Sequence, residues 1–582
     1  MMDLAAQAGS HPQSIDDARR RIVFVSNFYP PATVGGAEVV AHRQALALKE
    51  RGWEVFAFAG QLTSGAAPGG TLVTDEQDGI PVYRLEIQSL DPDSNFNWPL
   101  AEAYFRALVS AYDIKWVFCH NVIGLGAGII PLARSMGLRV ITTLHDNWGH
   151  CYRGTRLRED GSVCDTPQEC WACHPGIRIP SGGRLPIRVR RDYVAWCLER
   201  ADTLISPSRF TARSYDEAGV ARDRINAVSN GIDLHAIPPV LRSGEGPINF
   251  LCAAYMGEHK GIPQLLEAAE LLWRREDLRG RWTLSLAGAG HLAPMVRTRL
   301  AASKFGDAVR FLGKLPRAEL IRTLSRSQAV VLPSVWPENE PVILLESIAS
   351  GAVPIATNLG GNPELIRDGE TGILVERADP AAIAAAMIHL IENGPSLIPI
   401  LSAANLAQRD RLSERHTMNR LEALLTDPPA PAPAPLPIII CGGGEPDLGS
   451  KTLVNTLHDL LPDTPIRLIW QDWADAQTWS GAVAYWHWTR ESDLLPAFER
   501  AARYGLPVIT RSDPDLATRF NWAAGLHHYQ QPEGFAAILQ QLLSTPPSDQ
   551  MKPEVALSKS ILRAYTMLRD RRDFRLEAAT LK

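Results

Sequence analysis

Short apolar runs alternate with longer amphipathic stretches along most of the chain. The runs are IVFVSN (22–27), EVFAFAG (54–60), WVFCHN (116–121), RVITTLHDNW (139–148), TLISPS (203–208), NFLCAAYMG (249–257), WTLSLAGAG (282–290), AVRFLGKL (308–315), AVVLPS (329–334) and VPIAT (353–357). Runs this short and this apolar predict strands buried on both faces of a parallel sheet. The stretches between them, such as AEVVAHRQALALKERG (37–52) and PQLLEAAELLWRR (263–275), carry apolar residues at helical spacing. Strand, loop, helix, strand is the opening unit of a doubly wound α/β sheet, so the fold class is α/β. Ligands bind such sheets at the C-terminal ends of the strands.

The densest information lies between Ala329 and Glu376. After AVVLPS comes the loop VWPENE, then PVILLESIASG, where Pro341 suits a helix start and Gly351 its end. VPIAT follows, and LGGNPELI leads into another helix. A helix N-terminus after a strand offers unpaired amides and a positive dipole end, which favours phosphate. Glu338 stands just before the helix and Glu346 inside it. A carboxylate accepts two hydrogen bonds, so it suits a ribose diol or sugar hydroxyls. Phosphate on amides with a diol on a glutamate describes a nucleotide-sugar site.

This ordered set resembles the retaining group 1 (family 4) glycosyltransferases of the GT-B fold. It comprises Glu338-x7-Glu346, Ser347-x-Ala349-x-Gly351, Pro354-Ile355-Ala356, Gly360-Gly361-x-Pro363-Glu364 and Gly369-x-x-Gly372. The resemblance implies two Rossmann-like domains facing across a cleft, an N-terminal acceptor-side domain over 21–232 and a C-terminal donor-binding domain over 233–426. It also implies retained configuration and no metal for catalysis. It places His145, at a strand end, and Glu338 beside the donor sugar as the catalytic positions, with His120 as a weaker match. It assigns Gly35, Gly36, Lys260, Asn339, Glu340 and Glu346 to the donor, Glu346 holding the ribose. The family usually has an arginine five residues before the lysine. Here that residue is Tyr255, and a lost cation weakens leaving-group stabilisation unless another group compensates. INAVSNGIDLHAI (225–237) resembles the crossing into the second domain, and NLAQRDRLSERHTMNRLEALL (405–425) is expected as one closing helix returning toward the first.

Composition narrows the rest. A length of 582 residues implies three or four domains. The net charge of −5 argues against a general nucleic-acid binder, with local basic patches left open. No uninterrupted apolar run reaches bilayer length, and residues 1–20, expected as a flexible tail, lack the apolar centre of a secretory signal. A cytoplasmic location follows as an expectation, and with it eight unpaired cysteines. The Gly-x-Gly-x-x-Gly signature is absent, so a nicotinamide cofactor is not indicated.

Four of the cysteines, Cys151, Cys164, Cys170 and Cys173, fall in an insertion over 150–176. Such density suggests a structural tetrahedral zinc, with His150 or His174 able to replace one ligand and metal-free thiols as the alternative. CWACH also matches c-type haem attachment, which the missing export signal disfavours. Arg178, Arg184, Arg188, Arg190 and Arg191 then precede a partly amphipathic helix. A basic helix of this kind can dock on anionic lipid at the inner membrane face, the alternative being a solvated face.

A Pro/Ala linker spans 427–437, a small α/β domain is expected over 438–545, and a helical tail over 546–582. The run Gly444-x4-Gly449-Ser450-Lys451-Thr452 approaches the nucleoside-triphosphate phosphate loop, but one serine displaces the lysine. A better comparison lays AVAYWHWTRESDLLPAFERAARYGLPVIT on the stretch from Ala329. Glu338, Glu346 and Pro354 then match Glu491, Glu499 and Pro507 at one offset, and Lys451-Thr452 mirrors Lys260-Gly261. The domain reads as a degenerate copy of the donor-binding one.

The activity expected is transfer of a sugar from a nucleotide-diphosphate sugar to a hydroxyl acceptor, a glycan or glycolipid, in polysaccharide or glycoconjugate synthesis. The alternatives are a nucleotide-sugar epimerase on the same fold and a catalytically weakened binding protein, for which Tyr255 is the sequence hint.

Overall fold

The structure is a computed structural model that describes residues 20–544 except 33–34, 64–69, 88–89, 91–95, 168, 179–182, 222, 378, 428–435, 444, 463, 489–499, 502, 505 and 512–525. It divides into two compact units, 1–167 with 198–430, and 168–197 with 431–582. The tails, most of the Pro/Ala linker, Gly444, Glu491 and Glu499 lie outside the described residues.

The first unit holds two parallel sheets. Its N-terminal half opens with β1 (Arg21–Ser26), β2 (Glu54–Leu62), β3 (Leu72–Gln77), β4 (Ile80–Ile87), β5 (Trp116–Cys119) and β6 (Arg139–Thr143). The insertion that follows contributes a two-stranded antiparallel ribbon to the second unit, β7 (Gly176–Arg178) and β8 (Arg184–Pro186). The N-terminal half resumes with β9 (Thr203–Ser206) and β10 (Ile225–Ala227). The sheet order is β10-β9-β6-β5-β1-β2-β4-β3, parallel except where β3 pairs antiparallel with β4. The inner strands are apolar on both faces because helices cover both, as the runs without alternation predicted.

The C-terminal half contains β11 (Ile248–Ala253), β12 (Trp282–Ala287), β13 (Val309–Gly313), β14 (Ala329–Leu332), β15 (Val353–Thr357) and β16 (Ile373–Val375). All are parallel, in the order β13-β12-β11-β14-β15-β16. The helix Pro380–Ala407 is long and apolar enough to cross a membrane by length and composition, which the search for uninterrupted apolar runs did not find. Its Ile383, Met387, Leu390, Ile391, Ile398 and Leu401 are buried in the core of this half, beside the helix Ile262–Arg274. Burial of these residues accounts for part of the helix's apolar composition.

The expected single closing helix is broken. A 3-10 turn at Arg409–Leu412 is followed by the helix Glu414–Thr426, N-capped by Ser413. That second helix does return to the N-terminal half, burying Met418, Leu421 and Leu425 in the same core as Ala41, Ala45 and Leu48 of the helix Gly36–Glu50.

The second unit is built on β17 (Ile438–Gly442), β18 (Arg467–Trp470), β19 (Ala482–His487), β20 (Val508–Arg511) and β21 (Leu526–Tyr529). Its sheet is parallel throughout, in the order β18-β17-β19-β20-β21. With its edge strand β13 removed, the C-terminal half reads β12-β11-β14-β15-β16, the same winding strand for strand.

Residues 168–197, expected inside the N-terminal domain, group with this sheet instead. The cause is a buried polar joint on the helix Ile187–Glu199. Asp192 accepts from the Leu468 amide of β18 at 3.1 Å and from Arg188 at 3.3 Å, and Arg188 also donates to the Val454 carbonyl at 3.3 Å. Arg190 and Arg191 are buried, Arg190 to 2% exposure. Three of the five arginines offered to lipid therefore lie inside the unit, and only Arg178 and Arg184 are exposed. Composition could not distinguish a solvated basic face from a buried one.

Candidate functional site

The loops after β11 and β14 build the centre of the site. Gly261 adopts φ 69°, and a Cβ there would lie 1.9 Å from the Pro333 carbonyl oxygen. Only glycine lets the Lys260 turn press this close to the strand end. Lys260 Nζ consequently reaches Glu338 Oε1 at 2.6 Å and sits 4.6 Å from the centre of the Trp336 ring. Ser334 Oγ donates to the same carboxylate oxygen at 2.5 Å. Burial alone pushes the Glu338 carboxyl up, but the Lys260 ammonium and the bonds from Lys260, Ser334 and Trp336 outweigh it, and the group is held below the usual carboxylate range.

The loop after β15 closes on this one. The Gly361 amide donates to the Glu338 carbonyl at 2.7 Å. A Cβ on Gly360 would stand 2.3 Å from the Glu338 oxygen, and one on Gly361 1.8 Å from the Asn339 oxygen. The Gly-Gly pair is required because two backbones meet there. Glu364, from the same motif, accepts from the Arg209 and Phe210 amides at 3.0 and 2.6 Å, and so closes the start of the helix Arg209–Glu217 in the N-terminal half.

The helix Val342–Ser350 begins at the expected place, with Pro341 as its N-cap residue and Gly351 in the left-handed C-cap at φ 82°. No side chain caps its N-terminus, so its first amides remain available to an anion. Glu346 is buried within it and pairs with Arg317 Nη1 at 2.5 Å. Burial raises the Glu346 carboxyl more than Arg317 and Arg43 lower it.

The N-terminal half meets these loops. Gly36 opens the helix Gly36–Glu50, where an added Cβ would lie 3.6 Å from Val342, so the starts of two helices converge. The Gly35 amide, however, already donates to Glu38 Oε2 at 2.9 Å. Asn339 Nδ2 donates to the carbonyls of Leu144 and His145 at 3.0 and 3.1 Å, and its Oδ1 receives Ser208 Oγ. Glu340 Oε2 accepts from the Asn230 amide at 2.6 Å, and burial pushes its carboxyl up to about 7. The sequence assigned Asn339 and Glu340 to the donor. Their side chains are engaged with the opposite half, where they hold the His145 strand end and the crossing segment in place.

His145 faces His120 edge to edge, Nε2 to Nδ1 at 2.7 Å, and burial lowers its pKa to about 4. Asp146 beside it accepts from Asn121 at 2.9 Å and from the Trp148 amide at 2.8 Å. Burial pushes the Asp146 carboxyl up to about 6.

Tyr255 is 37% exposed and stacks on His259 at 5.7 Å, with His291 at 5.9 Å. His291 in turn pairs with Glu258 at 2.5 Å. The position that carries an arginine in the resembling family thus carries an aromatic and histidine cluster.

Sequence reasoning missed Ser334, Trp336, Arg317, Asn230 and Asp146. Ser334 and Trp336 lie within four residues of Glu338 and were within reach. Arg317 stands 29 positions before Glu346, and no spacing rule connects them.

The cysteine cluster divides. Cys151 and Cys164 belong to the first unit, Cys170 and Cys173 to a short helix of the second. Among the described residues, no group of three or more His, Cys, Asp or Glu is placed to hold a metal ion, so the zinc expectation finds no ligand set there. In the second unit, Asp447 caps the helix Leu448–Leu460 by accepting the Ser450 amide at 2.7 Å and also pairs with Arg511 at 2.7 Å. The counterpart helix end therefore carries its own carboxylate, and Lys451 pairs with Glu445 at 2.7 Å rather than standing in the loop as Lys260 does.

Two family models match end to end, "Glycosyltransferase Family 4" over residues 34–236 and "Glycosyl transferases group 1" over 235–410. The amylovoran biosynthesis glycosyltransferase AmsK of Erwinia amylovora is 26% identical over 38% of this chain and 56% of its own length, so this match spans little more than half of that relative. The glycogen synthase of Mycobacterium tuberculosis is 26% identical over 64% of this chain and 86% of its own. Among solved structures, Anabaena HepE in complex with UDP and glucose superposes with a TM-score of 0.51 at 17% identity, covering 70% of this chain and all of that one. At that identity the likeness establishes the fold, which is GT-B. By its motifs, its two matched models and its fold, the chain belongs to the group 1 glycosyltransferases.

Proposed function

We infer that the protein transfers a sugar, with retention of configuration, from a nucleotide-diphosphate sugar to a hydroxyl acceptor in polysaccharide or glycoconjugate synthesis. The observation that carries this reading is the Lys260–Glu338 pair beside the uncapped start of the helix Val342–Ser350, with Glu346 buried behind it. A diphosphate placed on those amides meets the Lys260 ammonium, and both stabilise the charge that develops as the leaving group departs. Glu346 accepts the ribose hydroxyls once Arg317 yields it. His145 and Glu338 orient the sugar. The bond from the anomeric carbon to the phosphate oxygen breaks, the acceptor oxygen bonds on the same face, and the acceptor proton passes to the departing phosphate oxygen. None of these steps calls on a metal.

Calorimetric titration with UDP, GDP and ADP tests the donor site, and UDP is the first candidate because HepE is described in complex with it. One nucleotide should bind, and Glu346→Ala should weaken it at least tenfold. Equal binding by the variant would remove Glu346 from the ribose. The exposed Tyr255 in place of a cation favours the second reading, a weakened enzyme that binds without turnover. Product analysis separates the two, and a new nucleotide sugar formed without acceptor would instead indicate an epimerase. The region 438–545 is taken as a degenerate donor domain, supported by the shared strand order and by the Asp447 carboxylate at its helix end.

A further inference from the structure

His120 lies at the C-terminal end of β5 and is fully buried. Its ring is 5.7 Å from Phe24 and 4.7 Å from Phe118, centre to centre. Its Nδ1 is 2.7 Å from His145 Nε2, while the ring centres are 5.0 Å apart and the planes differ by 15°. A short nitrogen separation with distant, nearly coplanar rings means an in-plane hydrogen bond rather than a stack. Burial depresses both pKa values, so both rings are neutral at physiological pH.

Two neutral imidazoles joined in this way share one proton between them. If His120 donates from Nδ1, His145 accepts at Nε2 and carries its own proton on Nδ1. If His145 donates from Nε2, His120 carries its proton on Nε2. The two rings are therefore bound to the same tautomer. His120 Nε2 is buried with no hydrogen-bond partner among the described residues. A buried N–H without an acceptor is a rarer defect than a buried acceptor without a donor. That preference selects the Nδ1–H form of both rings.

We propose that His120 is a positioning residue that acts through His145, holding it as the Nδ1–H tautomer so that an N–H donor is directed at an oxygen of the sugar donor. This rests on the reading of His145 as the residue that faces that sugar.

Long-range proton–nitrogen spectra of the full chain, labelled with 15N-histidine and assigned with His120→Phe and His145→Gln, read the tautomers directly. In the wild type both rings should show a protonated Nδ1 and a bare Nε2. In His120→Phe, His145 should move toward the Nε2–H form that free imidazole favours. His120→Asn, whose amide can donate in place of Nδ1, should hold His145 in the Nδ1–H form and guards against loss of the fold. Turnover of the nucleotide sugar should fall about tenfold in His120→Phe and recover in His120→Asn, with UDP affinity unchanged in both. A wild-type His145 protonated at Nε2, or a His145 tautomer indifferent to His120→Phe, overturns the proposal. If the tautomers behave as stated but His145→Gln turns over normally, the tautomer coupling holds and the sugar-facing role of His145 fails.

Discussion

Glu340 shows how a carboxylate can be conspicuous in sequence for one reason and matter in structure for another. The family resemblance assigned it to the donor, yet it is buried against the Asn230 amide and its carboxyl is pushed up to about 7 from an ordinary 4.5. Between those values the folded chain holds a proton that the unfolded chain releases. The contribution of this group to stability therefore falls as pH rises through the window and is least above pH 7. Glu340→Gln keeps an acceptor for Asn230 and removes the charge. It should melt higher than the wild type at pH 8, with the gap closing as pH falls toward 4.5. Melting temperatures across pH 5–8 test this, and a gap independent of pH would show that the carboxyl does not titrate there. Lys260 and Glu338 are the converse case, two groups singled out by their motif context whose partnership is what the fold adds.

At the scale of elements, periodicity identified the strands because strands buried on both faces leave no other pattern, and Gly351 marked a helix end because the left-handed cap needs it. The two glycines at 360–361 were legible as a motif but not as a mechanism. Their reason is the approach of the Glu338-Asn339 backbone, which no local pattern encodes. Gly361→Ala should force those loops apart, cost about 3 kcal/mol of stability and weaken nucleotide binding together with it, as read by denaturation and calorimetry. Undiminished stability would mean that the loops can separate freely. The break between Leu412 and Glu414 was missed because the apolar spacing continues across it. Only the capping hydroxyl of Ser413 marks the new start.

At the scale of the whole molecule, the joint between Asp192 and β18 places an insertion of the N-terminal region with a sheet nearly 300 residues later in the chain. Asp192 is the buried carboxylate among Arg188, Arg191 and Arg467. Asp192→Ala leaves buried guanidinium charge behind and should destabilise the second unit by about 3–5 kcal/mol. Calorimetry should show a transition of that unit lowered while nucleotide binding in the first unit persists. A single transition shifted as a whole would contradict this separation.

The fold class and the two matched halves were legible in the sequence alone. They depend on local periodicity and on motifs whose residues lie within about fifty positions of one another. The tertiary structure alone decided that Arg317 meets Glu346, that His120 meets His145, that Asn339 and Glu340 serve the opposite half, and that Arg190 and Arg191, offered to a surface, are buried. Each of these joins groups far apart in the chain, and whether a charged side chain is solvated or enclosed depends on what other elements pack over it, which no local pattern records.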